Sequence, residues 1–208
     1  MQVTRLGKMP DSVTATMVFN SNTSNYQYTL ANHANANQHG QVKEFSYHRD
    51  LKAGKMLNRE YLFDAAVLLS DTVPEIQWEI APEAPTRVIS KLTCRKATGS
   101  FRGRVYVGWF SEQYPVKAGP WKLAGLPGLI VEAEDTLAAV KYTLMSIETT
   151  NAQVLVPTAP TSMSQTQYVQ SIKKKLNGLN YSMSAEDTEI SITSSASVRL
   201  NVLEKSLF

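Results

Sequence analysis

The chain has 208 residues, 43% of them hydrophobic and 19% charged, with a formal net charge of +3. That length suits one domain (1–208) with a sizeable core, and the balance excludes a disordered chain. The charge is spread out, and the main uninterrupted apolar run, Ala65-Ala66-Val67-Leu68-Leu69, is far too short for a bilayer, so neither nucleic acid nor a membrane span is implied.

Residues 1–12 lack periodicity and read as an irregular lead. Antiparallel strands are expected over 13–160. Ala15, Met17 and Phe19 alternate with polar neighbours, and after a Ser/Asn-rich turn Tyr26, Tyr28 and Leu30 do the same, which predicts a hairpin. Residues 31–41 are polar and low in complexity, as in a mobile loop. Phe45 and Tyr47 mark a short strand, Tyr61 and Phe63 another, and Val67 to Leu69 with Asp71 a fourth that ends at Pro74. Ile76, Trp78 and Ile80 face one way, Pro82 and Pro85 break the run, and Val88 to Arg95 resumes it with Ser90, Leu92 and Cys94 on one face. Phe101 to Phe110 and Leu129 to Glu134 read as two more strands, and Val140, Tyr142 and Leu144 alternate as far as Ile147.

A helix over 163–178 interrupts this pattern. Ser164 or Ser162 can cap it, Tyr168, Val169, Ile172 and Leu176 form one apolar stripe, Lys173-Lys174-Lys175 fall in its last turn as a solvated face, and Gly178 can close it. Such a helix is too short to stand alone and must dock on something apolar. Residues 182–208 allow edge strands through Ile190 and Ile192 and through Val198, Leu200 and Val202, or form a tail.

Between two of the strands lies Gly119-Pro120-Trp121-Lys122-Leu123-Ala124-Gly125-Leu126-Pro127-Gly128-Leu129-Ile130. Pro127-Gly128 suits the central positions of a type II turn over Leu126 to Leu129, because proline presets φ and glycine accepts a positive one. Gly125, Leu126, Pro127 and Gly128 therefore read as a structural turn in a rigid connector. Its residue types offer no acid, base or nucleophile.

Cys94-Arg95-Lys96-Ala97, Phe101, Gly103-Arg104, Trp109-Phe110, Pro115, Gly119-Pro120 and Gly125-Leu126-Pro127-Gly128-Leu129-Ile130, in that order, resemble the GLPGLI family of uncharacterised Gram-negative envelope proteins. The resemblance is strongest from Trp78 to Ile147. It extends weakly to Asn20-Ser21-Asn22-Thr23-Ser24 and to Asn201-Val202-Leu203-Glu204, where Val202 stands in place of a proline. It implies a periplasmic or outer-envelope home and carries no activity. Met1 to Arg5 are followed by polar residues in place of the apolar core of a signal peptide, so the resemblance implies a processed or truncated chain.

No Gly-x-Ser-x-Gly elbow, His-Glu-x-x-His pair, phosphate-binding glycine loop or Cys-x-x-Cys is present. His33, His39 and His48 form a loose set without neighbouring ligands and read as solvated residues, and no metal or cofactor is implied. Glu132 and Glu134 read as a solvated strand face, and Cys94, alternating with Leu92, as a buried unreactive thiol. Trp109, Trp121, Tyr106 and Arg104 flank the connector and are the candidate ligand-binding residues. Trp109 and Trp78 are expected to plug the core, Trp121 to sit at a rim, and Arg104 either to pair with an acidic residue or carbonyls or to stand exposed.

The fold expected is mainly β: a curved antiparallel sheet, half-barrel or barrel, with one packed helix near the C-terminus. Three functional readings follow from it. One is a non-enzymatic envelope protein that binds an apolar or amphipathic ligand or an envelope partner. Another is a hydrolase whose carboxylate and histidine meet only in the fold, and the third is a structural partner of an outer-membrane transport complex.

Overall fold

A computed structural model describes residues 2–5, 11–31 and 42–183, with side chains over 13–30 and 42–175. The strands are β1 (Gln2–Arg5), β2 (Asp11–Phe19), β3 (Thr23–Ala31), β4 (Val42–Asp50), β5 (Lys55–Leu62), β6 (Ala65–Thr72), β7 (Trp78–Glu79), β8 (Thr86–Ile89), β9 (Leu92–Phe101), β10 (Arg104–Ser111), β11 (Leu129–Asp135), β12 (Val140–Thr143) and β13 (Thr161–Ser164), followed by helix α1 (Gln165–Met183). They lie in the order β13-β6-β5-β4-β3-β2-β1-β12-β11-β10-β9-β7, with β8 also on β9. The fold class is as anticipated, mainly antiparallel β with one helix near the C-terminus. The barrel is not closed, because β13 and β7 are the two ends of this order and do not meet.

Two halves of the sheet share β2. Its first part, Asp11 to Thr14, pairs with β1, and its second part, Ala15 to Phe19, pairs with β3. The sheet curls, so that Ala15, Tyr26 and Tyr47 from one half and Tyr106, Phe110, Ala133 and Tyr142 from the other bury one core between them. The rings of Tyr26 and Tyr142 meet edge-on at 6.4 Å across that core. A second cluster, built on Ile89, Leu92, Cys94, Val131 and Leu144, lies on the other face of β9 and β11. Cys94 is fully buried there, and burial pushes its thiol pKa up.

The expected hairpin is β2–β3. Several expectations need correction. The lead is not wholly irregular, since Gln2–Arg5 is a strand held between β2 and β12. The run from Val88 to Arg95 is two strands, with Ser90 and Lys91 (φ 47° and 69°) as the turn, and the run from Phe101 begins its strand only after Arg102 and Gly103 (φ 46° and 75°). Both are two-residue turns with two successive positive φ values, the geometry that matches strand twist in tight hairpins. Phe63, expected within a strand, sits instead in a turn at φ 62°. Glu132 is not a solvated residue: it is buried, ion-paired to Arg87 and 3.7 Å from Lys141, next to a bulge where β10 loses register between Trp109 and Phe110.

The helix has the expected N-cap. Ser164 Oγ accepts from the Gln167 amide at 3.2 Å, and Gln167 Oε1 accepts from the Ser164 amide at 2.8 Å, a reciprocal capping box. Tyr168 and Ile172 are buried against Val67 and Leu69 of β6. The helix does not close at Gly178 but runs to Met183, so the three exposed lysines lie in its middle and no basic residue is in its last turn. Residues 161–164, just before the cap, form β13, which pairs parallel with β6. The side chain of Leu176, residues 32–41 with His33 and His39, and residues 184–208 with their anticipated strands lie outside the described residues.

Candidate functional site

The four residues expected at a ligand site are not gathered in one place. Inward and outward positions alternate along β10, so Arg104, Tyr106 and Phe110 point into the core while Trp109 points to the opposite face. Tyr106 is fully buried. Arg104 is ion-paired to Asp135, whose other oxygen accepts from the amides of Ala139 and Val140 at 2.7 and 2.9 Å. Trp109, half-buried, lies under the guanidinium of Arg87, 4.1 Å from its ring centroid. Trp121 is not at a rim. It is 5% exposed, at φ 53°, with its ring edge-on to Phe101 at 5.8 Å.

The connector is a plug in place of a surface turn. Leu123, Leu126 and Ile130 are buried in the main core, and Trp78 Nε1 donates to the Ala124 carbonyl at 2.9 Å. The type II geometry proposed for Leu126 to Leu129 is absent: the positive φ belongs to Gly125 (104°), not Gly128. Gly128 is required for another reason. A Cβ there would stand 2.3 Å from the Ser111 carbonyl oxygen, so only glycine allows the backbone of the plug to reach β10.

One groove among the described residues lies on the outer face of β2 to β5. Register sets its floor: Thr16 is opposite Gln27, Gln27 opposite Ser46, and Ser46 opposite Arg59, so one row of hydrogen-bonding side chains crosses four strands. Ser46 Oγ donates to Asn25 Oδ1 at 2.7 Å, and Asn25 Nδ2 donates to Gln27 Oε1 at 3.3 Å. After β12, residues 145–160 run without helix or strand and strap back over this floor. The ring of His48 contacts the Leu155 carbonyl at 3.0 Å through Nδ1, and Arg59 donates to the Thr158 carbonyl at 2.7 Å. Between floor and strap is a groove of about 480 Å³, with Glu44, Thr29 and the stacked rings of Tyr28 and Phe45 (4.9 Å) also on its walls.

Hydroxyls, amides, one carboxylate and one guanidinium can hold a ligand by many directed hydrogen bonds. They do not make an obvious nucleophile, since Ser46 donates to an amide oxygen, which is no base. Among the described residues no three His, Cys, Asp or Glu side chains are grouped as a metal would need. None of these lining residues is among the four candidate ligand-binding residues read from the sequence. The signal was there in the strict alternation of Asn25, Gln27 and Thr29 with Tyr26 and Tyr28, but nothing local announces a strap arriving from more than a hundred residues away.

No protein-family model matches the chain, and no curated protein does. Two solved structures of PNGF-II, in C2 and P21 space groups, match with TM-scores of 0.56 and 0.54 at 16% and 17% identity. Each match covers 83% of this chain and 32% of that one, so the chain spans about a third of the length of the structures it resembles. At such identity the likeness is one of fold alone, and in fold the chain is similar to part of PNGF-II.

Proposed function

We propose that the protein is a non-enzymatic binding module of the bacterial envelope that takes a hydrogen-bonding ligand in the groove under the strap. The envelope setting rests on the resemblance carried by the Gly125 to Ile130 hexapeptide and its flanks. The ligand assignment rests on one observation, the polar row Thr16, Gln27, Ser46 and Arg59 beneath a strap held at its Leu155 and Thr158 carbonyls. A groove so lined favours a hydroxyl- or amide-rich molecule over an apolar guest, because an apolar group would leave those donors and acceptors unpaired. The concave side supports the same reading, since Tyr26, Tyr47, Tyr106 and Tyr142 fill the place where a carrier would lodge an acyl chain.

Native mass spectrometry of protein purified from its own host, followed by titration with soluble oligosaccharides and unstructured peptides, tests the proposal. A saturable ligand whose binding is lost in Gln27→Ala with Ser46→Ala supports it. A co-purified acyl-chain lipid, or a ligand held equally well by that double variant, overturns it.

A further inference from the structure

A second concavity lies where β4 turns into β5, and its charges are unbalanced. The turn between β4 and β5 forms one wall and the connector forms the other, enclosing about 280 Å³ lined by Arg49, Lys52, Gly54, Glu75, Lys117 and Gly125 among others. Both walls are fixed by their own hydrogen bonds. Asp50 Oδ1 accepts from the amides of Lys52 and Ala53 at 2.9 and 2.8 Å, and its carbonyl accepts from Gly54 at 3.0 Å. The Gly125 amide donates to the Lys117 carbonyl at 3.2 Å.

Three cations and one carboxylate face this space. Within the described residues, none of Arg49, Lys52 and Lys117 forms an ion pair, whereas the neighbouring Arg102 and Lys122 are both held by Asp71, at 2.7 and 3.3 Å. Arg49 is the telling residue. Its guanidinium is half-buried and makes one hydrogen bond, from Nη1 to the Lys122 carbonyl at 2.9 Å, out of five N–H donors. Burial pulls its pKa down, and the charges of Asp71 and of Glu75, which lines the same pocket, act in the opposite sense. The other donors of this half-buried guanidinium stay open to a ligand, and its planar fork matches an oxyanion in bidentate geometry.

We propose that this pocket is an anion site, in which Arg49 grips a carboxylate or phosphate group while Lys52 and Lys117 flank it. The site is separate from the strap groove and uses the connector as a rigid wall, which gives Gly125 a place beside a ligand that its residue type alone does not announce. A carboxylate would come from a peptide C-terminus and a phosphate from a free or headgroup ester. The shared chemistry is an oxyanion with two acceptor oxygens.

Amide NMR of the full chain tests this with three probes: inorganic phosphate, a short peptide with a free C-terminus and the same peptide amidated. Saturable shifts centred on Gly54 and Gly125 are expected, with affinity falling about tenfold or more in Arg49→Gln and unchanged in Lys173→Gln, an exposed helix lysine. Preference for the free over the amidated peptide assigns a carboxylate ligand, and saturation by phosphate alone assigns a phosphate. Should Arg49→Gln fail to fold, Lys52→Gln with Lys117→Gln removes two exposed charges from the same walls and must weaken binding about tenfold. Linear, unsaturable shifts with all three probes, or equal affinity in the pocket variants and the wild type, would overturn the site.

Discussion

The two faces of β3 and β4 are made from adjacent residues and carry opposite chemistry. Tyr26 and Tyr47 turn inward, bury completely and meet the other half of the curled sheet, while Asn25, Gln27 and Ser46 turn outward and meet only the strap. The inner face is closed by packing, and its residues can change only at a cost in stability. The outer face is closed by a strap tied to the sheet at His48 and Arg59, so an exposed residue such as Gln27 can vary with little effect on folding, whereas Asn25 and Ser46 are buried and bonded to each other. Tyr106 and Trp121 near the connector pack in the same core as the first face, and modest threonines, serines and glutamines make the second.

The contrast can be broken most directly at its most buried charge pair. Asp135→Asn leaves Arg104 ionised in the interior beside a partner without charge and should cost about 3 to 5 kcal/mol in urea unfolding. A loss below about 1 kcal/mol would mean that the inner face tolerates an uncompensated guanidinium, contrary to the packing argument. Gly128→Ala should follow at about 3 kcal/mol, because its Cβ must displace the Ser111 carbonyl. Gly125→Ala, strained at φ 104° but with 3.7 Å to its nearest neighbour, should cost less, about 1 to 2 kcal/mol, and the reverse order would reassign the steric demand of the plug. Ile172→Ala should cost about 2 kcal/mol by removing the contact of α1 with β6.

A pH dependence sharpens the same contrast. Burial, reinforced by Glu60 and Tyr28, raises the pKa of Tyr47 well above 10.0. A raised folded pKa means stability that is complete below the ordinary phenol value and declines as pH passes through it, since only the unfolded chain can then ionise. Above pH 10.0 the unfolding free energy should fall by about 1.4 kcal/mol per pH unit for this group, and Tyr47→Phe should remove that part of the slope. The smallest effect is expected outside: Gln27→Ala should move stability by less than about 0.5 kcal/mol while weakening ligand capture, and a core-sized loss would place Gln27 in the packing instead of the groove.

Much of the inner face was legible because alternation is a local signal. Tyr26, Phe45 and Tyr142 each sit among polar neighbours at period two, and Ser164 is one of the two serines that the helix pattern offers as a cap. Turns were less legible. Ser90, Lys91 and Arg102 take left-handed conformations that their residue types rarely adopt, so Val88 to Arg95 reads as one strand and Phe101 to Phe110 as another. Gly128 was singled out correctly and explained wrongly, since a sequence shows where a glycine is and not whether φ or contact demands it. The groove and the cationic pocket were not legible, because each is made by segments distant in the chain.

The double pairing of β2 bears on how the molecule is made. Gln2–Arg5 fits between β2 and β12, so the middle of the finished sheet joins the first residues of the chain to Val140–Thr143. Hairpins such as β3–β4 and β9–β10 can zip as they emerge during synthesis. The central seam must wait for β12, leaving both edges of an unfinished sheet open in the interval. Closing so distant a pair is entropically slow, and refolding should be limited by β1 docking, with a lag that shortens when the two ends are tethered. Among other unfolded chains the vulnerable moment is that delay, when a foreign strand could occupy the place of Gln2–Arg5.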